Sequence, residues 1–127
     1  MFISSYICEL LNNKTIETMD PMDQKKIFEL HADVCKVLGH PLRIEVIDLL
    51  QQKELCFTDI LVVTGGSKSN LSQHLSVMTQ KGILNMRKEG QCNYYSLSSV
   101  KVADACRLMR EVLIENMAKH KELLEKM

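Results

Sequence analysis

The sequence predicts a mainly α-helical fold that carries one small β-hairpin. Three features lead to this prediction: a capped helix with a polar outer face over residues 67–82, two short β-capable runs directly after it, and a long apolar stripe at helical spacing that begins near residue 99. Elsewhere the chain alternates helix starts, helix ends and short connections. A length of 127 residues, 46% of them hydrophobic, suits one domain with a substantial core.

Residues 1–20 are predicted to form an N-terminal segment apart from the main domain, which we place at residues 21–127. Apolar residues recur at helical spacing up to Leu11, so we expect an amphipathic helix followed by a polar linker. The segment lacks the basic start and cleavage site of a signal peptide, and no apolar run reaches the roughly 18 residues of a membrane span. We therefore expect a cytoplasmic protein with no membrane partner and with its five cysteines reduced.

Two prolines and their neighbours predict the first helices of the main domain. Asp20 is placed to cap a helix with Pro21 at its first position, and this helix is expected to end at about residue 38, before Gly39. Pro41 begins a second helix that is expected to end near residue 52. A third, short helix is predicted over about residues 57–63.

The capped helix that follows has two contrasting sides. Ser67 stands at its N-cap position and Gly82 just past its end. Leu71, Leu75 and Met78 recur at i, i+4 and i+7, so one side can pack onto a core. The other side carries short neutral groups that can hydrogen-bond to base edges and phosphates. These residues are Ser69, Asn70, Ser72, Gln73, Ser76 and Gln80.

Residues 84–97 contain two β-capable runs joined around Gly90, whose permissive backbone suits a tight hairpin. Arg87 and Lys88 stand just before the turn, where they would meet a phosphate backbone. Over residues 67–101, five basic residues stand against one glutamate, a net charge of +4 in a chain whose overall charge is zero. Charge segregated in this way steers a protein toward DNA. A helix-turn-helix followed by a basic hairpin predicts a DNA-binding winged helix-turn-helix.

One long helix is predicted from about residue 99 to residue 127, with Ser98 or Ser99 as its N-cap. Its apolar stripe advances by roughly 3.5 residues at a time, the seam spacing of paired helices. One small domain cannot cover a stripe of this length, so we expect a homodimer that presents two recognition helices about 34 Å apart. The predicted interface residues are Val102, Cys106, Met109, Leu113, Met117, His120 and Leu124.

Several short motifs follow one another along the chain. They are Cys-Lys-Val-Leu-Gly-His-Pro-Leu-Arg-Ile at 35–44, Glu-Leu-Cys-Phe-Thr-Asp-Ile at 54–60, Leu-Ser-Gln-His-Leu at 71–75, Lys-Gly-Ile-Leu at 81–84, Arg-Lys-Glu-Gly at 87–90 and Tyr-Tyr-Ser-Leu at 94–97. Over about residues 28–125 the chain thereby resembles the ArsR/SmtB family of arsenic- and metal-responsive winged-helix repressors. The resemblance implies a dimeric repressor that leaves its operator when an inducer binds. It does not imply an enzyme, and the sequence contains no Cys-x-x-Cys, catalytic Ser/His/Asp grouping or phosphate-binding glycine loop.

The candidate DNA contacts form two groups. Those for the major groove are Lys68, Ser69, Asn70, Ser72 and Gln73. Those for the backbone and adjacent minor groove are Arg87, Lys88 and Gln91, the last of which stands where the family often has a basic residue. His74 flanks the apolar stripe, so we expect it to pack at the helix edge, within reach of a phosphate, and not to read a base. The alternative function is a winged helix that binds a protein partner without specific DNA binding, against which the local positive charge argues.

The resemblance also implies where an inducer would act. Cys56 keeps the first position of a family metal site whose second cysteine is replaced by Thr58. Asp104, Cys106 and His120 fit a second family site on the long helix, and a thiophilic metal such as zinc is the candidate cofactor. The structural alternatives are a small apolar cysteine at a helix start and polar residues that fix the register of the dimer.

Two further thiol arrangements are open at this point. His31 and Cys35 lie one helical turn apart, which suits metal ligands, although a core cysteine is the favoured interpretation of Cys35. Some relatives link two cysteines by oxidation or polysulfide, but Asp48 stands where their upstream cysteine would be, so that pair is not reproduced. Cys35 with Cys106 is a different candidate pair if their helices pack together. Cys92 on the hairpin is expected to be exposed, either as a bystander or as a group whose oxidation disturbs DNA contact.

Overall fold

The computed structural model describes residues 15–127 of the chain. After a short 3₁₀ turn at Ile16–Thr18, the elements are α1 (Pro21–Val37), α2 (Pro41–Leu49), the two-residue strand β1 (Leu55–Cys56), α3 (Phe57–Thr64), α4 (Lys68–Gln80), β2 (Leu84–Glu89), β3 (Cys92–Leu97) and α5 (Val100–Glu125). This confirms the predicted mainly α-helical fold with a hairpin. The predicted N-terminal amphipathic helix lies outside the described residues.

Local capping explains where the helices begin. Asp20, Ser67 and Ser99 each accept a hydrogen bond from a backbone N–H in the first turn of α1, α4 and α5, at 3.0, 3.1 and 3.3 Å. Each bond satisfies one of the N–H groups that a helix start leaves without a partner. The three predicted starts are confirmed. The predicted ends are less accurate, since α2 ends at Leu49 and α3 continues to Thr64.

The sheet has three antiparallel strands in the order β1-β3-β2. Strands β2 and β3 pair along their length around a tight turn in which Gly90 has a φ of 61°, as the hairpin prediction requires. Strand β1 pairs with the other edge of β3 and places Cys56 opposite Tyr94. The sequence analysis did not predict this third strand, because two residues carry no periodic pattern and are extended only through their partner.

The core fixes the inner side of α4. Leu71, Leu75 and Met78 belong to one buried cluster with apolar residues of α1, α2, α3, β2, β3 and α5. This confirms the apolar stripe read from the sequence. Full burial of such a side chain contributes about 1.5–3 kcal/mol relative to exposure. Helix α4 is therefore held firmly, with its opposite side directed outward.

Helix α5 packs against the core through its first turns. Val102, Ala103 and Cys106 contact the core cluster, and Nη1 of Arg110 binds Oδ1 of Asp48 on α2 at 3.1 Å. Val102 and Cys106, predicted as dimer contacts, pack against the core of their own chain, and their place in a dimer interface stays a prediction. The exposed apolar side chains farther along α5 are Leu108, Met109, Val112, Leu113, Ile114, Met117, Leu123 and Leu124.

Candidate nucleic-acid interface

A tight turn sets the arrangement of the two helices of the helix-turn-helix. It contains Gly65, Gly66 and Ser67, and both glycines have positive φ values, 73° and 90°. Other residues are strained at such values, whereas glycine adopts them readily. Nothing lies within 4 Å of a Cβ built at either glycine, so the requirement is one of backbone conformation and not of space.

The outer side of α4 is polar and exposed. The residues on this side are Lys68, Ser69, Asn70, Ser72, Gln73, Ser76 and Gln80. No Asp or Glu occurs anywhere in α4, so the helix itself presents no charge that repels a phosphate backbone. Its N-terminal end adds a partial positive charge and unpaired backbone N–H groups. The five residues predicted for the major groove thus lie together on one exposed surface.

His74 lies on the inner, buried side of α4 and not on its outer side. Only 8% of the residue is exposed, and its Nδ1 accepts a hydrogen bond from Nε of Arg43 at 3.0 Å. The His74 ring lies 4.1 Å from the ring of His40, centroid to centroid. Burial lowers the pKa of His74, and the charges of His40 and Arg43 lower it further. The predicted packing of His74 is confirmed, whereas its predicted contact with a phosphate finds no support, because the residue is buried and its Nδ1 is bound to Arg43.

Arg43 connects three helices through that contact. It lies on α2, its Nε donates to His74 of α4, and its Nη1 donates to the carbonyl oxygen of Val37 at the end of α1, at 2.9 Å. The planar guanidinium can satisfy both acceptors at once because its donors point in fixed directions. Arg43 therefore fixes the position of α4 relative to α1 and α2.

Arg87 is held by its own chain. Its Nη2 and Nε bind the two carboxylate oxygens of Glu54 at 2.6 and 3.3 Å, and its Nη1 binds Oε2 of Glu89 at 2.6 Å. The guanidinium carbon lies 4.7 Å from the centre of the Tyr94 ring. The hydrogen bond from Arg87 lowers the pKa of Glu54, and the two carboxylates raise the pKa of Arg87. A phosphate at Arg87 would have to compete with both carboxylates.

The hairpin of β2 and β3 is the wing of this fold. The other two residues predicted to contact DNA from the wing are exposed. Lys88 follows Arg87 in β2 and faces the opposite side of the sheet, since successive residues of a strand alternate. Gln91 lies in the hairpin turn, and both side chains are open to solvent. They are the wing groups whose geometry suits contact with a DNA backbone.

The candidate sensing cysteines lie in different parts of the fold. Cys56 is the half-buried N-cap residue of α3, and Cys106 is half-buried on α5. Cys35 is exposed on α1, so its interpretation as a core cysteine is wrong for the described chain. Burial raises the pKa of Cys106, Arg110 lowers it in part, and the charge of a Cys35 thiolate raises it again. Cys35 is thus close enough to Cys106 to affect the ionisation of Cys106.

The proposed ligands on α5 are not assembled within one chain. Asp104 forms an ion pair with Arg107 at 3.4 Å, and His120 is exposed. Cys106 and His120 are separated by about 21 Å along a helix axis. Within residues 15–127, no three His, Cys, Asp or Glu side chains are grouped so that they could hold a metal ion. In the same part of the chain, every helix is too short or too polar to cross a membrane.

Sequence reasoning missed two groups at this surface, Arg43 and Glu54. Their partners are 31 and 33 residues away, so no local spacing reveals the pairs. The pairing of Glu89 with Arg87 did have a signal, because residues two apart in a strand share a face.

A polar recognition helix in a helix-turn-helix, followed by a hairpin, defines the winged helix-turn-helix class of DNA-binding regulators. A family model described as bacterial regulatory protein, arsR family, matches residues 40–86. The HTH-type transcriptional regulator Rv0081 of Mycobacterium tuberculosis is 30% identical over 82% of this chain and 92% of its own length. The transcriptional repressor SdpR of Bacillus subtilis is 30% identical over 61% of this chain and 86% of its own length. The chain belongs to the ArsR family of transcriptional regulators, which are not enzymes.

Solved structures agree with this family assignment. The crystal structure of Rv0081 superposes with a TM-score of 0.66 and 29% identity, over 74% of this chain and 95% of that one. The solution structure of the homodimeric winged helix-turn-helix DNA-binding domain of Mb0332 from Mycobacterium bovis gives a TM-score of 0.68 and 26% identity, over 81% and 94% of the two chains. Regulators of this family bind DNA and form homodimers.

Proposed function

We propose that this chain is a cytoplasmic, homodimeric transcriptional repressor that binds a double-stranded DNA operator and leaves it when an inducer binds. The proposal rests on the outer side of α4. It is exposed, rich in amides and hydroxyls and free of carboxylates, on a helix whose inner side is locked into the core. A solvated helix without a partner ordinarily carries Glu and Lys on such a face.

The proposed base contacts come from the first turns of α4. Lys68, Ser69, Asn70, Ser72 and Gln73 would enter the major groove, where amide side chains pair with adenine edges and hydroxyls bond to several bases. Lys88 and Gln91 would meet the backbone and the neighbouring minor groove. His74 would act indirectly, by packing α4 in place. For the predicted contact of Arg87 with a phosphate, the phosphate would first have to displace Glu54 and Glu89 from the guanidinium.

The proposed dimer interface is the exposed apolar part of α5. Met109, Leu113 and Met117 are 63%, 55% and 70% exposed and follow one another along one side of the helix. Monomeric proteins seldom leave a contiguous apolar surface of this kind open to water. A symmetric pair of α5 helices would cover it, together with His120 and Leu124, and would present two copies of α4 to the DNA.

The proposed inducer is a thiophilic ion or a thiol-reactive species. Cys106 supports this proposal because it is half-buried at the base of the proposed dimer interface, where the charge of a Cys35 thiolate raises its pKa. A soft metal such as zinc would use Cys106 with Asp104 and with His120 of the other chain. Cys56 is the alternative thiol, since it lies at the start of the helix-turn-helix.

Fluorescence anisotropy of the reduced protein tests the DNA-binding part. Labelled DNA from upstream of its own gene is compared with a scrambled duplex of equal length, between about 50 and 200 mM salt. We expect tighter binding to the natural sequence by about 10³-fold or more, with a steep loss of affinity as salt rises. A protein-interaction module would bind neither duplex in a salt-dependent way, and equal weak binding to both would contradict an operator in this region.

The same complex tests the inducer. Zinc, a trivalent arsenical or polysulfide is added to the bound protein, and the result is compared with Cys35→Ser, Cys56→Ser and Cys106→Ser. We expect one agent to release the DNA from the wild type and to fail on one of these variants. Cys92→Ser is the comparison for the hairpin, where Cys92 is exposed, and loss of release in that variant alone would place the reactive thiol on the hairpin. Release that survives in all four variants would contradict a thiol sensor.

A further inference from the structure

One face of the wing carries an ion pair between Arg87 and Glu54, which we call the strut. Arg87 of β2 lies opposite Tyr94 of β3, and its guanidinium lies 4.7 Å from the centre of the Tyr94 ring. From there it reaches Glu54, the residue directly before β1, with two hydrogen bonds. Because the strand order is β1-β3-β2, the side chain of Arg87 spans the sheet from one edge to the other.

This strut connects the wing to the helix-turn-helix. Strand β1 has only two residues, and its second residue, Cys56, is already the N-cap of α3. The backbone ladder between β1 and the wing is therefore very short. A bidentate arginine–carboxylate pair has a defined geometry in addition to its charge, so it restricts the angle between the two bodies that it joins.

Glu89 binds the same arginine but cannot restrict the angle between the wing and the helix-turn-helix. It lies on β2, two residues from Arg87, so their contact at 2.6 Å stays within one strand. Both carboxylates are exposed and each would bring one negative charge near a DNA backbone. Of these two carboxylates, only Glu54 ties the wing to another segment of the chain.

We propose that Glu54 is a positioning residue for DNA binding, which holds Arg87 across the sheet and so fixes the wing at the angle where Lys88 and α4 contact the same DNA. The proposal rests on the proposed DNA-binding function. In this arrangement Arg87 acts through Glu54 and not through a phosphate. Exposed ion pairs add little to folding stability, so the effect belongs to DNA affinity and not to the melting temperature.

The alternative role of Arg87 gives the opposite sign. If Arg87 were a phosphate ligand masked by Glu54, removing the carboxylate would free the guanidinium. Affinity would then rise, and each added phosphate contact would steepen the salt dependence by about 0.9 in log–log slope. If Glu54 positions the wing, its loss disengages Lys88, so affinity falls and the slope becomes shallower.

The test compares Glu54→Gln with the matched control Glu89→Gln by anisotropy on the operator, with thermal unfolding as a check of folding. The two variants make the same charge change beside the same arginine. We expect Glu54→Gln to lose about threefold to fivefold in operator affinity, the scale of an exposed ion pair, while Glu89→Gln binds as well as the wild type or better. A gain in Glu54→Gln, or equal effects of the two changes, would overturn the proposal.

A charge swap provides a second readout. Arg87→Glu alone should bind poorly in either case, because it removes a positive charge from the wing. Adding Glu54→Arg restores an arginine–carboxylate pair between the same two positions with its ends exchanged, so positioning predicts recovery of part of the lost affinity. No recovery would show that the guanidinium itself is needed at residue 87. If the wild-type protein showed no salt-dependent binding to any DNA, the proposed function itself would be refuted. Failure of the positioning proposal and failure of the proposed function are therefore distinguishable.

Discussion

Replacing Arg43 tests how the recognition helix is held. Its guanidinium makes two hydrogen bonds in a partly buried position, to Nδ1 of His74 at 3.0 Å and to the carbonyl of Val37 at 2.9 Å. A hydrogen bond to a charged group contributes about 1.5–3 kcal/mol, and the acceptors left behind lose their partner. Met keeps much of the aliphatic stem and its packing. We therefore expect Arg43→Met to lower the free energy of unfolding by about 2–3 kcal/mol, less than the full sum because water reaches the half-exposed site.

Urea unfolding followed by circular dichroism measures this change, at one protein concentration because dimers gain stability with concentration. The matched control is Arg107→Met, since Arg107 is exposed and makes only ion pairs at 3.4 Å along its own helix. We expect a loss below about 1 kcal/mol for that control. A double-mutant cycle with His74→Asn should give a coupling of at least about 0.5 kcal/mol. Equal effects of the two arginine variants, or no coupling, would refute a structural role for the Arg43–His74 contact.

Four further outcomes are expected. Because the pKa of His74 is lowered in the folded chain, the stability that depends on neutral His74 is complete above about pH 6.5 and is lost as pH falls below it. Urea unfolding should therefore show a smaller loss of stability on acidification in His74→Asn than in the wild type. Parallel losses in the two proteins would contradict this. Gln73→Ala should weaken operator binding by about 1–3 kcal/mol and leave random DNA unaffected; equal losses on both would show that Gln73 does not read sequence. Lys88→Ala should weaken both complexes and reduce the salt slope by about 0.9, and an unchanged slope would remove Lys88 from the phosphate contacts. Leu113→Asp should convert the dimer to monomers in sedimentation velocity, since a charge cannot be buried unpaired in an apolar interface; a dimer that persists would place the interface elsewhere.

The features predicted correctly from the sequence are local or periodic. The caps at Asp20, Ser67 and Ser99 need only the residues of the first helical turn. The stripe of Leu71, Leu75 and Met78 follows from helical geometry alone. The hairpin required a glycine in the turn and alternating runs on both sides.

The features that escaped prediction depend on contacts between distant segments. Strand β1 is extended only because β3 lies beside it, and β1 is too short to show an alternating pattern. Arg87 looked like a free phosphate ligand because Glu54 is 33 residues away along the chain. Cys35 looked like a core residue, whereas the outer side of α1 leaves it exposed. Side-chain pairing across a fold cannot be read from spacing, and charge patterns therefore overstate how many basic groups are available to DNA.

Selection of bound sequences from a pool of random DNA tests the central claim most directly, because it assumes no operator in advance. A homodimer that places two copies of α4 in successive major grooves should enrich an inverted repeat with half-sites about 10 base pairs apart, centre to centre. Enrichment of one unrepeated site, or of no sequence at all, would contradict a symmetric dimer that reads DNA through α4.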